Sequence, residues 1–210
     1  MSVQLRVWSD YVCPFCLLAK KPIDEAVAGL DVEVEWMPFE LRAEPSPTLR
    51  PEGDYLQSVW RRAVYPMARR MGVAIHLPDV SPQPYTRLAF EGHQYAREHG
   101  LGGAYNDRLL RAFFQEGLDI GDVEVLTGLA AEFGLPAADY RAALTTGAYG
   151  EAHRAALAQA AAHEITVVPT ILIDGRHRVE GVPDPAALRR AIEDALPWPL
   201  TGAACGIDGC

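Results

Sequence analysis

Two thiols set three residues apart, Cys13 and Cys16, carry the most direct chemistry in this sequence. They enclose Pro14 and Phe15, follow the alternating stretch Val3-Gln4-Leu5-Arg6-Val7-Trp8, and precede the helix-forming run Leu17-Leu18-Ala19-Lys20-Lys21. This predicts a strand-to-helix turn with Cys13 at the helix N-terminus and Pro14 at the first helical position, where a missing N–H costs nothing. Orphan N–H groups and the positive end of the helix dipole stabilise a thiolate there, and such settings lower a cysteine pKa from about 8.5 to roughly 3.5–7.5. A thiolate is the nucleophile of disulfide exchange. Cys16, one turn on, is placed to close a small disulfide ring and release a partner. The same spacing is also half of a zinc site. The preceding strand and the helix-compatible proline favour redox chemistry.

The other candidates are weaker. Phe15, between the thiols, is expected to be exposed, either contacting substrate or covering the helix end. Asp10 either tunes the thiols or caps its own turn, and local capping is the commoner use of an Asp before a turn. The six histidines show no metal-ligand spacing and are expected at the surface or in packing. Arg61, Arg62, Arg69 and Arg70 read as a solvated helix face, and Trp60, Tyr65 and Met67 as core or lining. Cys205 and Cys210, five apart near the C-terminus, form a second pair. They read as an inert tail, a second redox pair, or the other half of a zinc site with Cys13 and Cys16.

Around these residues the chain is that of an ordinary globular protein. It has 210 residues, 49% of them apolar and 22% charged, with a net charge of −9. That balance allows a sizeable core and disfavours nucleic acid as a partner. No signal peptide or membrane span is visible, so the expectation is a cytoplasmic protein. Strand texture occurs at Val3–Trp8, at Asp31–Trp36, and at Thr166–Ile173, where Pro169 is out of place in a strand interior and is expected at its first position. The turn signal Asp174-Gly175 predicts a hairpin back through Arg178–Glu180. Helices are predicted over 14–29, with a kink near Leu18–Pro22, and over 54–71, 85–99, 104–116, 122–133, 137–145, 149–163 and about 184–196.

The order strand–CxxC–helix–strand, helical block, strand–hairpin–helix resembles the thioredoxin superfamily, in its DsbA-like branch typified by FrnE proteins. The resemblance spans residues 3–196. It rests on Asp10-Tyr11-Val12-Cys13-Pro14-Phe15-Cys16, Pro38-Phe39-Glu40-Leu41, Phe113 to Ile120 and Val168-Pro169-Thr170. Phe15 stands where Trp is common, Leu17 where Tyr is frequent, and Val167 where Gly is usual. The resemblance implies an α/β thioredoxin fold with an inserted α-helical domain. Residues 1–50 and 164–197 would form the thioredoxin-like part, 51–163 the insertion, and 198–210 a cysteine-containing tail. It further implies a cis Val168–Pro169 bond facing the CxxC, and thiol–disulfide exchange at Cys13 and Cys16, with Phe15, Val168 and Pro169 at the substrate.

The expected function is therefore a cytoplasmic thiol–disulfide oxidoreductase or isomerase acting on protein or small-molecule thiols and disulfides. It would need no cofactor beyond its own redox-active disulfide, and neither nucleic acid nor membrane as partner. The alternatives are a glutathione-dependent isomerase or transferase of the kappa or chromene-carboxylate type, which usually carries Ser at the first cysteine position, and a non-catalytic zinc protein.

Overall fold

Alternation at the N-terminus makes a strand with one deeply buried face. In the computed structural model, which describes residues 2–196, β1 runs Val3–Ser9 and buries Val3, Leu5 and Val7 completely or nearly so. It is the second strand of a four-stranded sheet ordered β2-β1-β3-β4. β2, Val32–Pro38, pairs with it in parallel from Val3 opposite Val32 to Ser9 opposite Pro38. β3, Thr170–Ile173, pairs antiparallel on the other side, with Leu5 opposite Ile173. β4, His177–Glu180, closes the edge as a hairpin partner of β3. Asp174 and Gly175 both take positive φ at the hairpin turn, which explains the Asp-Gly pair there.

Helix α1, Pro14–Val27, and helix α9, Pro185–Ala195, cover one face of the sheet. Ile23, Leu188 and Ile192 meet Leu5, Val7, Ile171 and Ile173 there. Asp184 caps α9 by accepting the Ala187 N–H at 2.8 Å. On the opposite face Trp8, Met37 and Leu172 pack with Ala160 and Ile165 at the end of α8, Gly150–Ala162.

The remaining helices all fall between β2 and β3. They are α2 (Asp54–Val59), α3 (Tyr65–Met71), α4 (Arg87–Glu98), α5 (Gly102–Glu116), α6 (Val123–Ala131) and α7 (Ala137–Thr146), followed by α8. Asp122 caps α6 through the Glu124 and Val125 amides. Their interior is rich in aromatics, with Trp60, Tyr105, Phe113, Phe114 and Tyr140 fully or almost fully buried. The same apolar cluster contains Tyr11, Cys13, Cys16, Leu17 and Leu18. The CxxC turn therefore lies where the helical block meets the sheet.

Several boundaries differ from the sequence reading. The third strand begins at Thr170 rather than Thr166, because Pro169 has no N–H for a ladder; the Val168–Pro169 bond is cis. Pro169 immediately precedes the strand. Helix α1 ends at Val27, two residues early, and runs through Pro22 without being broken. The single helix expected over 54–71 is interrupted by a π-helical turn, Trp60–Val64, in which the Tyr65 N–H donates to the Trp60 carbonyl five residues back. Pro66 follows directly. In a regular α-helix its ring would clash with the carbonyl four residues earlier, at Arg62, and it has no N–H to donate there.

Candidate active site

Strand β1 delivers the chain to the sheet's C-terminal edge, and a turn at residues 10–13 passes it into α1. The turn is closed by the Cys13 N–H donating to the Asp10 carbonyl at 3.0 Å, and the helix opens with the Cys16 N–H donating to the Cys13 carbonyl at 3.0 Å. Cys13 is the N-cap residue, with Pro14 next to it in the first helical turn. Both cysteines are free thiols. Cys13 is 5% exposed and Cys16 is fully enclosed. Burial pushes the Cys16 thiol well above its ordinary pKa and the neighbouring Cys13 sulfur adds to the rise, while the Asp10 backbone and the Ser9 hydroxyl act in the opposite direction.

Cys13 opens onto a cavity of about 340 Å³ between the CxxC turn, the loop before β3, the segment after β2, helix α2 and the segment 83–86 that leads into α4. Phe15 and Val168 line it with Cys13, so three of the predicted site residues share one space. The Val168 carbonyl oxygen lies 3.6 Å from the Cys13 sulfur. Pro169 is buried behind it and does not line the cavity. Phe15 is half-buried, packed against the helical core, rather than exposed as its position between two polar thiols predicted. Trp60 is buried at the cavity floor. Cys205 and Cys210 lie outside the described residues. Within the described residues no group of three or more His, Cys, Asp or Glu side chains is placed to hold a metal ion.

The rim of this cavity is unusual in composition. Among the described residues, the large apolar or aromatic side chains that stand exposed, Leu41 at 47%, Tyr55 at 64% and Val167 at 43%, all line it. Arg42 and Thr48 add polar groups. Exposed apolar side chains scattered singly mean little, but a set gathered around one opening marks a contact surface.

Behind the turn lies a buried polar group that the sequence reading missed. His153 Nε2 of α8 is 2.5 Å from Glu40 Oε1, with side chains only 2% and 7% exposed. The His153 ring stacks on Phe90 of α4, which stacks on Tyr11 beside the thiols. His93 is also buried, and burial together with Arg97's charge pushes its pKa down to about 3, so it stays neutral. These histidines are packing residues, as expected, but not surface ones. Glu40 and His153 are 113 residues apart, so no local pattern could have paired them. Asp10 is fully buried and does cap its own turn, accepting the Val12 N–H at 3.4 Å. It also accepts the Leu41 N–H at 2.7 Å, a contact that no sequence spacing signals.

Comparison with known proteins agrees with this arrangement. The model of the DSBA-like thioredoxin domain family matches residues 4–193. The chain belongs to the DsbA-like thioredoxin domain family. Among curated proteins, the uncharacterized protein YwbO of Bacillus subtilis (strain 168) is 48% identical over 196 residues, covering 92% of this chain and 98% of that protein. Among solved structures, a probable DsbA oxidoreductase from Streptomyces coelicolor superposes with a TM-score of 0.79 at 27% identity, covering 99% of this chain and 98% of that one. The cytosolic disulfide reductase DsbM from Pseudomonas aeruginosa, solved with GSH, has a TM-score of 0.70 at 21% identity over 91% of this chain and 98% of that one, a likeness of fold. Membership of the DsbA-like family assigns the chain, in general terms, to thiol–disulfide oxidoreductase or isomerase chemistry. In this DsbA-like chain the helices between β2 and β3 build one wall of the cavity at Cys13.

Proposed function

We propose that this protein is a thiol–disulfide oxidoreductase in which Cys13 is the exchanging nucleophile and Cys16 the resolving thiol. The observation that carries the reading is the asymmetry of the pair. Cys13 sits at a helix N-terminus and opens onto a cavity, whereas Cys16 is sealed behind it with its thiol held protonated by burial. The Cys13 thiolate attacks one sulfur of a substrate disulfide. An S–S bond forms between Cys13 and that sulfur, the substrate S–S bond breaks, and the second substrate sulfur leaves as a thiolate that takes up a proton. Cys16 then loses its proton and attacks Cys13. The mixed disulfide breaks, the remaining substrate thiolate leaves, and Cys13–Cys16 carries the two electrons' worth of oxidation. Run backwards, the same steps oxidise a substrate dithiol.

The apolar rim favours substrates whose cysteine is flanked by apolar groups, whether a protein segment or a small disulfide. Phe15 and Val168 form the cavity wall nearest the nucleophile, the Val168 carbonyl faces the Cys13 sulfur, and Pro169 presents no N–H of its own there. No cofactor beyond the dithiol enters the steps, and the cytoplasmic setting expected from the sequence belongs to the same proposal. No helix among the described residues is long and apolar enough to cross a membrane. Cys205 and Cys210 are proposed as a second pair that exchanges with the first.

The test is reduction of insulin disulfides by the pre-reduced protein, with Cys13→Ser and Cys16→Ser beside it. Cys13→Ser is expected to lose the activity. Cys16→Ser is expected to accumulate a mixed disulfide detectable by mass spectrometry. Wild-type activity in Cys13→Ser overturns the assignment, and glutathione-dependent isomerisation without net redox change would replace it with the isomerase reading.

A further inference from the structure

Asp10 stands out among the groups that the exchange steps leave unused. Its carboxyl is fully buried immediately behind the dithiol turn, and its partners among the described residues are neutral donors from three separate segments. The Val12 N–H reaches it from its own turn at 3.4 Å. The Leu41 N–H reaches it at 2.7 Å from the segment after β2. Thr86, the N-cap residue of α4, adds a side-chain hydroxyl that helps to hold the carboxyl's pKa down. Leu41 and Thr86 line the cavity with Cys13 and Asp10 itself. The carboxylate thus ties the backbone that presents the nucleophile to two walls of the space it opens on.

Resting on the reading of Cys13 as nucleophile, we propose that Asp10 is a positioning residue for the exchange reaction, its ionised carboxylate holding the Cys13 turn in register with the Leu41 and Thr86 walls of the cavity. The geometry explains why an acid is used. An ionised carboxylate is acceptor-only with about four lone-pair sites, so it serves N–H and O–H donors from several directions at once. Asn at the same place would offer one oxygen and turn an NH2 donor toward a second donor.

The surroundings set when the tie is complete. The groups facing the carboxyl are the Glu40 carboxyl and Leu41 amide from the segment after β2, the Thr86 hydroxyl before α4, and the Val12 amide and Tyr11 phenol of its own turn. His153 of α8 faces Glu40 from the far side. Burial, with a smaller contribution from Glu40's charge, raises the Asp10 pKa to about 6, while its three donors pull the other way. The tie is therefore about half formed near pH 6, approaches full strength as pH rises past it, and weakens below it as the carboxyl takes up a proton.

The experiment uses the reduced full-length protein. The amide resonances of Leu41 and Val12 are followed by NMR from pH 5 to 8, and insulin-reduction turnover is measured over the same range for wild type, Asp10→Asn, Asp10→Glu and Thr86→Val. The proposal expects the Leu41 amide to shift with a midpoint near pH 6 in the wild type and not in Asp10→Asn. It expects Asp10→Asn to lose roughly tenfold to a hundredfold in turnover at pH 7.5, the scale set by misplacing a reacting group by up to about 1 Å. Asp10→Glu, which keeps the charge, is expected to recover part of that loss. Thr86→Val, which removes one donor without touching the turn, is expected to move the amide midpoint upward and lower turnover, and it decides the matter together with the wild-type titration if Asp10→Asn does not fold. A wild-type Leu41 amide with no step near pH 6, or Asp10→Asn with wild-type turnover and pH profile, overturns the proposal. Full activity in Cys13→Ser would instead sink the nucleophile assignment, so the two failures are distinguishable.

Discussion

Cys13 and Cys16 have the same side chain and different surroundings, and Asp10 behind them is a buried acid whose ionisation a titration can read. Asp10's carboxyl ionises at about 6 in the folded chain against an ordinary 3.8. Between those values the native chain holds a proton that the unfolded chain has released, so stability falls as pH rises through that window. The full effect, about 3 kcal/mol, stands above it. Asp10→Asn lacks this contribution. Its stability relative to wild type is expected to improve by an amount approaching that figure between pH 4 and 7, measured by urea denaturation at several pH values. His93 has the opposite sign. It is pushed down to about 3 from an ordinary 6.5, so the unfolded chain binds a proton there before the native one does, and stability falls as pH drops from 6.5 towards 3. The two contributions oppose each other between pH 4 and 6. Removing Asp10 therefore exposes the His93 slope, and a variant whose stability still falls with rising pH in that window would contradict the assignment of Asp10.

At the scale of elements, the segment after β2 is the piece that connects the sheet to the helices. The Phe39 N–H donates to the Ser9 carbonyl at 3.0 Å, Glu40 pairs with His153 of α8, and the Leu41 N–H meets Asp10. Removing one member of a buried hydrogen-bonded pair leaves the other unsatisfied, which costs about 1–3 kcal/mol. His153→Ala is expected to lose stability on that scale in denaturant unfolding. The double variant Glu40→Leu/His153→Leu is expected to recover much of it, because neither polar group is then left unpaired. Additive losses in the double variant would show that the pair is not coupled. The π-helical turn at Trp60–Val64 is the other consequential element, since it sets Trp60 into the cavity floor.

At the scale of the molecule, the cavity belongs to neither part alone. Cys13, Leu41 and Val167 come from segments flanking the sheet, and Tyr55, Leu56 and Trp60 from the helices. Replacing Tyr55, Leu41 or Val167 singly by Ser removes apolar surface from the rim. Each is expected to weaken binding of an apolar-flanked peptide disulfide by about 1–2 kcal/mol, roughly five- to thirtyfold in KM. Reaction with a small hydrophilic disulfide should be unchanged, and equal losses on both substrates would argue against a recognition role. The C-terminal pair is testable at this scale too. From Pro197 to Cys205 is eight residues, roughly 26–29 Å when extended, against a domain radius of about 17 Å. Truncation after Leu200 is expected to change the turnover or resting redox state of Cys13/Cys16, and full-length behaviour in the truncated chain would rule out exchange between the pairs.

Local sequence was enough for most of what short-range physics governs, though not for the start of β3, the end of α1 or the π-helical turn. Two cysteines three apart, a strand before them and a proline between them specify the strand–turn–helix that presents a thiol at a helix end. Alternation specifies β1 and β2, and glycines and prolines punctuate the helices to within a few residues. Asp122 and Asp184 cap α6 and α9 by accepting from amides two or three positions away, a range that local sequence spans. What the sequence did not disclose depends on residues brought together from distant parts of the chain. The Glu40–His153 pair spans 113 residues and the Cys13–Val168 approach 155. Folding decided that Phe15 turns inward, that Asp10 reaches Leu41 and Thr86, and that Leu41, Tyr55 and Val167 gather at one opening. Burial, and with it the raised Asp10 and Cys16 and the neutral His93, is a property of packing around a residue, which its neighbours in the chain do not set.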